Sequence, residues 1–268
     1  MDLRNQFKIG LAVALISASS SGAARTLQQI RNTGELRVAI ALVSPWAMRD
    51  GDGNFIGYEI DIARSLGADL GAEPRFVVYA PDELLRAVEF DEADIAIASL
   101  PITAERALHV NFSAPHTSGG LTLATRIATT RDVESLIDLD SAEYSLALVQ
   151  NSPAAALAQR LLQRIDVQAF PGAQAAAAAL IDGTADAYLE EDPVPHLLAL
   201  EHAGRIDVPL ARPLLERRAG FAIGKGDADF LAYLNAWIVA REDDTWLATT
   251  HRYWFRSLQW RDRLEDAP

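Results

Sequence analysis

Thr103 and Arg106 have the spacing of a helix start, with Thr103 as N-cap and Ala104, Glu105 and Arg106 in the first turn. A cation there works against the helix dipole. It makes sense if the guanidinium reaches out to grip an anion, since its planar fork fits a carboxylate with two parallel bonds. The plainer alternative is a surface arginine paired with Glu105 or Glu92. Asn151-Ser152-Pro153 is a second helix start, with Asn or Ser at the N-cap and Pro at the first helical position. The free N–H groups of Ala154 and Ala155 then suit a carboxylate, unless the motif is a structural cap alone. Glu190, Glu191 and Asp192 put three acids in a row, whose repulsion is relieved by an arriving cation or by solvent around a loop. Trp46 follows Pro45 and offers a face for cation–π contact or for core packing. Ser99 ends an apolar run, where a hydroxyl can bind a solute or simply form a turn.

Other chemistry is absent from the sequence. The five histidines are scattered, with no H-E-x-x-H and no pair at metal-ligand spacing. No G-x-S-x-G elbow or phosphate-binding loop occurs. There is no cysteine, which excludes disulfides, thiolate nucleophiles and Fe–S sites. A net charge of -13 repels polyphosphate and argues against nucleic acid. No metal and no cofactor is expected.

The elements that must position these residues alternate in type. Strands are expected at 36–42, 76–79 and 93–100, with helices at 60–70 and 82–90 between them. The pattern restarts with strands at 121–127, 144–149, 167–170 and 185–189. Helices at 154–162, 173–181 and 194–202 separate or follow them. A late strand at 220–224 and two aromatic-rich helices, 230–240 and 246–254, close the chain. The near-continuous apolar run at 93–100 suits a parallel strand covered on both faces. This is an α/β pattern written twice, and 268 residues at about 150 per domain fits two units.

Residues 1–24 read as a secretory signal peptide: Arg4 and Lys8, an apolar stretch from Ile9 to Ile16, then small residues to Ala24. That stretch is too short to span a bilayer. A periplasmic location follows as an expectation.

Four segments occur in an order and spacing similar to those of the bacterial extracellular solute-binding proteins of the polar-amino-acid type. They are GELRVAI with SPWAMRDGDGNFIGYEIDIARSLGADLG (34–40 and 44–71), DEADIAIASLPITAERALHVNFSAPH (91–116), LALVQNSPAAALAQRLL (146–162) and GTADAYLEED (183–192). The second is the most specific, with T-x-x-R followed by F-S-x-P. The resemblance implies a two-lobed periplasmic-binding-protein fold with a ligand cleft between lobes and a hinge of two crossover segments, near 116–120 and 214–220. Lobe 1 would be discontinuous, 25–117 and 216–268, and lobe 2 would be 118–215. The implied function is capture of a small carboxylate-bearing ligand, an amino acid or derivative, by a monomer that serves an inner-membrane ABC permease transiently.

By the same resemblance Arg106 holds the ligand's carboxylate, Ser99 bonds the ligand through backbone and hydroxyl, and Thr103 belongs to the ligand-binding set. Asn151 and Ser152 add backbone and hydroxyl donors, Glu191 (or Glu190) takes the ammonium, and Trp46 covers the ligand. Tyr58 and Asp61 match a G-[FY]-x-x-D pattern that is structural. The chain departs from the family at Pro101 and Pro153, which lack an N–H, at His116 in place of a tyrosine, and at the apolar Ala41-Leu42-Val43, which counts against basic ligands. Periplasmic cyclohexadienyl dehydratases share the fold. Their general acid lies three residues beyond the ammonium-site acid, where this chain has Val194. Other relatives accompany periplasmic quinoprotein dehydrogenases.

Overall fold

The computed structural model describes residues 24–265. The signal-peptide reading therefore lies outside the described residues apart from Ala24. The first half runs α1 (Leu27–Thr33), β1 (Glu35–Ile40), the short hairpin β2 (Met48–Arg49) and β3 (Phe55–Ile56), α2 (Tyr58–Leu70), β4 (Glu73–Val78), α3 (Leu84–Glu89) and β5 (Ile95–Pro101). A 3₁₀ turn, Arg106–Leu108, leads into the long β6 (Asn111–Arg126). The second half runs β7 (Ser145–Val149), α4 (Pro153–Leu161), β8 (Asp166–Phe170), α5 (Ala173–Asp182), β9 (Ala187–Glu191), α6 (Val194–Glu201) and β10 (Ile206–Asp207). Then come β11 (Leu214–Ile223), α7 (Ala228–Asp243), α8 (Trp246–Phe255) and the single turn α9 (Asp262–Glu265).

The main sheet has the order β4-β1-β5-β11-β6-β9-β7-β8. The outer strands on each side are parallel, β1 with β4 and β5, and β7 with β8 and β9. β11 and β6 run antiparallel between them and to each other. Two parallel α/β units thus meet through two long central strands. Each unit has apolar layers on both faces of its strands. One is built on Leu36, Val38, Ile40 and Ile60 with Phe221 and Trp254, the other on Leu123, Leu146, Leu148 and Leu157. Ala39, Ala96 and Val88 fill the opposite face of the first, and Ala147, Tyr188 and Leu180 that of the second. Burial of β5 at Ile95, Ala96 and Ile97 in succession is what a strand covered on both faces requires.

Three expectations are corrected. The strand expected at 121–127 is the far end of β6, which begins at Asn111. Pro115 and the glycines at 119 and 120 look like a turn in sequence. They are tolerated because β6 pairs there only with β11, while its partnership with β9 begins at Leu121. The strand expected at 220–224 likewise starts at Leu214. The two crossover segments of the hinge are therefore the paired strands β6 and β11. The helix expected after Thr103 is a turn followed by the 3₁₀ turn, because β6 starts only five residues beyond Arg106. The expected capping bond is nonetheless present, with Arg106 N–H donating to Thr103 Oγ1 at 3.2 Å.

Asp94 ties the start of β5 to its neighbours. Its buried carboxylate accepts from the Arg37 backbone N–H at 2.7 Å, from the Arg37 guanidinium at 2.7 and 3.0 Å, and from Arg25 at 3.1 Å. Burying one carboxylate is tolerable because several donors surround it. At the other end of the chain Trp254 Nε1 donates to Asp61 Oδ2 at 2.7 Å, which fixes α8 onto α2.

Candidate functional site

A cavity of about 180 Å³ opens where the carboxyl ends of the parallel strands face the central pair. Ala41, Val43 and Trp46 follow β1, and Glu59 lies in the first turn of α2. Ala98, Ser99 and Pro101 come from β5, and Gly119 and Gly120 from β6. Glu191 ends β9 and Asp192 follows it, and Arg217 and Ala219 lie on β11. Both α/β units thus contribute, in the position where open sheets bind solutes.

Gly57 makes the wall beside Trp46 possible. Its φ is 135°, and a Cβ there would stand 2.3 Å from the Trp46 carbonyl oxygen. That close approach lets Glu59 N–H donate to the Trp46 carbonyl at 2.9 Å. The Trp46 ring then packs 4.4 Å from Phe255 and meets Tyr58 edge-on at 5.7 Å. Ser99 is held at φ 48°, a strained backbone for a residue with a side chain.

The three cavity carboxylates are all engaged, at different depths. Glu59 is fully buried, with Oε2 3.2 Å from His116 Nε2. His116 stacks on Phe221 at 4.2 Å, so this pair locks α2 to both central strands. Asp192 lies 2.6 Å from His196 Nδ1 and accepts from Arg256 at 3.2 and 3.3 Å. Burial opposes ionisation of Asp192, but the hydrogen bonds from His196 and Arg256 outweigh it and hold the carboxyl below its ordinary value. Glu191 is more open and is paired with the Arg217 guanidinium. Behind Trp46 and Phe255, His251 is pushed down to about 4 by burial, helped by the charge of Arg256.

The structure brings Ser99, Trp46 and Glu191 together in the cavity wall. It places the other expected residues elsewhere. Arg106 is half-buried and donates from Nη1 to the carbonyl of Pro101 at 3.1 Å, so it stands behind a cavity residue and lines a neighbouring groove with Glu89 and His109. Thr103 is exposed and caps Arg106. Ser152 accepts from Ala155 N–H at 3.1 Å, capping α4, and Asn151 precedes it at φ 57°. Neither lines the cavity. Sequence reasoning missed Glu59 and Arg217, and saw Asp192 only as the last of three consecutive acids. Glu59 was hidden inside the motif G-Y-E-I-D, read as structural. Arg217 lies in β11 outside the strand expected at 220–224. No alternation announces the strand: Glu216, Arg217 and Arg218 are consecutive charged, exposed residues ahead of a continuously buried run.

Among the described residues no group of three His, Asp or Glu side chains could hold a metal ion, and no helix is long and apolar enough to cross a membrane. A small concave site at strand ends, shared by two α/β units joined through a pair of strands, defines a solute-binding fold. Residues 36–257 match the bacterial extracellular solute-binding proteins, family 3, and the chain belongs to that family. It is 25% identical over 252 residues to the L-cystine-binding protein TcyJ of Escherichia coli (strain K12), covering 91% of this chain and 92% of that one. It is 24% identical over 241 residues to the cyclohexadienyl dehydratase of Pseudomonas aeruginosa, covering 90% of each. The solved structure of an ancestral cationic amino acid solute-binding protein superimposes with a TM-score of 0.76 at 26% identity, over 85% of this chain and 99% of that one.

Proposed function

We propose that this protein captures a small amino acid or amino-acid derivative in the cleft and delivers it to an inner-membrane ABC permease from the periplasm. The observation that carries the reading is the cavity itself. Strand ends of both units line it, and it holds a strained serine, an aromatic face and an accessible pair of opposite charges. In this reading Ser99, Trp46 and Glu191 contact the ligand directly. Arg106 sits one residue layer back, bound to Pro101 O. Ser152, Asn151 and Thr103 act when the two units close on the ligand. We take 25–117 with 216–268 as one lobe and 118–215 as the other.

A thermal-shift screen of the standard L-amino acids and L-cystine tests this. A ligand at 100-fold excess over its Kd stabilises by about 2.7 kcal/mol. That is a rise in melting temperature of roughly 5–10 °C for a chain of this size. No shift with any of them contradicts the proposal.

A second reading, dehydratase activity, is favoured by the relative from Pseudomonas aeruginosa. Against it, Val194 occupies the position three beyond Glu191 and cannot transfer a proton. Incubation with prephenate or arogenate and assay for aromatic product decides between the two readings.

A further inference from the structure

Of the charged groups around the cavity, one pair can be exchanged for a ligand. Glu59 and His116 are both fully out of solvent, and the Asp192 side chain is only 9% exposed beneath Arg256 and His196. Separating either set would strand a buried charge, which is strongly destabilising. The Glu191 and Arg217 side chains are 43% and 46% exposed. An ion pair in that setting adds little to stability, about 0–1 kcal/mol, and its groups keep access to water and to solutes.

Their placement supports this. Arg217 pairs in register with Gly119 on β6, and Glu191 with Leu121 on the other edge of the same strand. The two charges therefore face one another across β6, where Gly119 and Gly120 carry no side chain. Nothing stands within 4 Å of where a Gly119 Cβ would project. Among the described residues, Arg217 is the one basic residue lining the cavity.

We propose that Arg217 is a ligand-contacting, specificity-determining residue. A zwitterion inserts into the Arg217–Glu191 pair, its carboxylate on the Arg217 guanidinium and its ammonium on Glu191. The pair selects for two charges at once. A carboxylic acid without the ammonium meets Glu191 as an uncompensated like charge, and an amine without the carboxylate meets Arg217 in the same way. The planar guanidinium favours a carboxylate bound by two bonds. This assignment rests on the reading of the cleft as an amino-acid site.

The test is titration calorimetry with L-cystine, L-lysine and the other standard L-amino acids on the parent protein. The tightest of these and its desamino analogue are then titrated into Arg217→Met, Arg217→Lys, Glu191→Gln and Arg106→Ala. Arg217 and Glu191 are half-exposed, so the variants at these two positions are expected to keep the parent melting temperature within a few degrees. Arg217→Met should weaken the amino acid at least tenfold, Arg217→Lys less. Glu191→Gln should weaken the amino acid yet strengthen its desamino analogue. Affinity kept within twofold in Arg217→Met, with loss confined to Arg106→Ala, overturns the assignment while leaving the amino-acid site intact. Failure of every amino acid to bind the parent protein removes the functional reading and this assignment with it.

Discussion

Trp254→Ala will lower the melting temperature by on the order of 10 °C. The Trp254 side chain is fully buried between Tyr253 and Trp260, with ring centroids at 5.1 and 5.8 Å. Removing a buried tryptophan costs about 3–5 kcal/mol. A further loss arises because Asp61 loses its 2.7 Å donor in a setting where burial already pushes its carboxyl pKa up. For a chain of this size each kcal/mol moves the midpoint by roughly 2–4 °C. Calorimetric melting checks the value. Trp254→Phe keeps much of the buried volume and loses the hydrogen bond, so it should fall between parent and alanine variant. The effect reaches the cleft, because α8 also carries Phe255, the ring against which Trp46 rests. Trp254→Ala should therefore weaken ligand binding as well as stability.

Stability will fall by about 3 kcal/mol between pH 6.5 and pH 4 through His251 alone. Burial, then the nearby Arg256 charge, push this imidazole down to about 4 from an ordinary value of 6.5. The unfolded chain binds a proton in that window and the folded protein does not, so acid favours unfolding. The contribution is fully present above pH 6.5, declines as pH falls to about 4, and is constant below. Asp192 attracts a proton to the site, while Arg256 and His196 repel it. Asp192 has its own acid dependence. Its carboxyl lies below the ordinary carboxylate value, so its contribution is lost only under more acidic conditions. The check is urea unfolding at intervals from pH 4 to pH 7.5, comparing the parent with His251→Leu. The difference between the two curves isolates the histidine from the other titrating groups. A leucine of similar bulk among Tyr58 and Phe255 should remove this part of the pH dependence from the variant, so the difference between the curves should change by about 3 kcal/mol across that window.

Much of the fold was legible because its strands are apolar on both faces and its helices carry clear starts and stops. Gly71 and Gly183 end α2 and α5 in the left-handed conformation, and Ser152 with Pro153 opens α4, all readable from residue type. The central strands were not legible over their full length. In β6 the residues Pro115, Gly119 and Gly120 mimic a turn, and only long-range pairing with β11 overrides that local preference. The site was half legible for the same reason. Ser99 and Glu191 lie near the ends of β5 and β9, and Trp46 follows β1, strands that show in the sequence. Glu59 and Arg217 enter the cavity through partners 57 and 26 residues away, His116 and Glu191, which no local pattern announces. Arg106 carried the strongest motif. Its observed hydrogen bond to Pro101 O lies within the connection from β5 to β6, where a turn and a 3₁₀ turn take the place of the expected helix.

The central claim is that an amino acid binds in the cavity over Gly119. Isothermal titration of the parent protein and Gly119→Leu with the amino acid that gives the largest thermal shift tests it most directly. The substituted side chain has open space at its root and projects into the cavity, so it should fill the site without disturbing β6. The predicted result is saturable binding of one molecule per chain to the parent and no measurable binding to Gly119→Leu, with melting temperatures that agree in the absence of ligand. Equal affinity in the two proteins, or no heat of binding in the parent with any amino acid, contradicts the account.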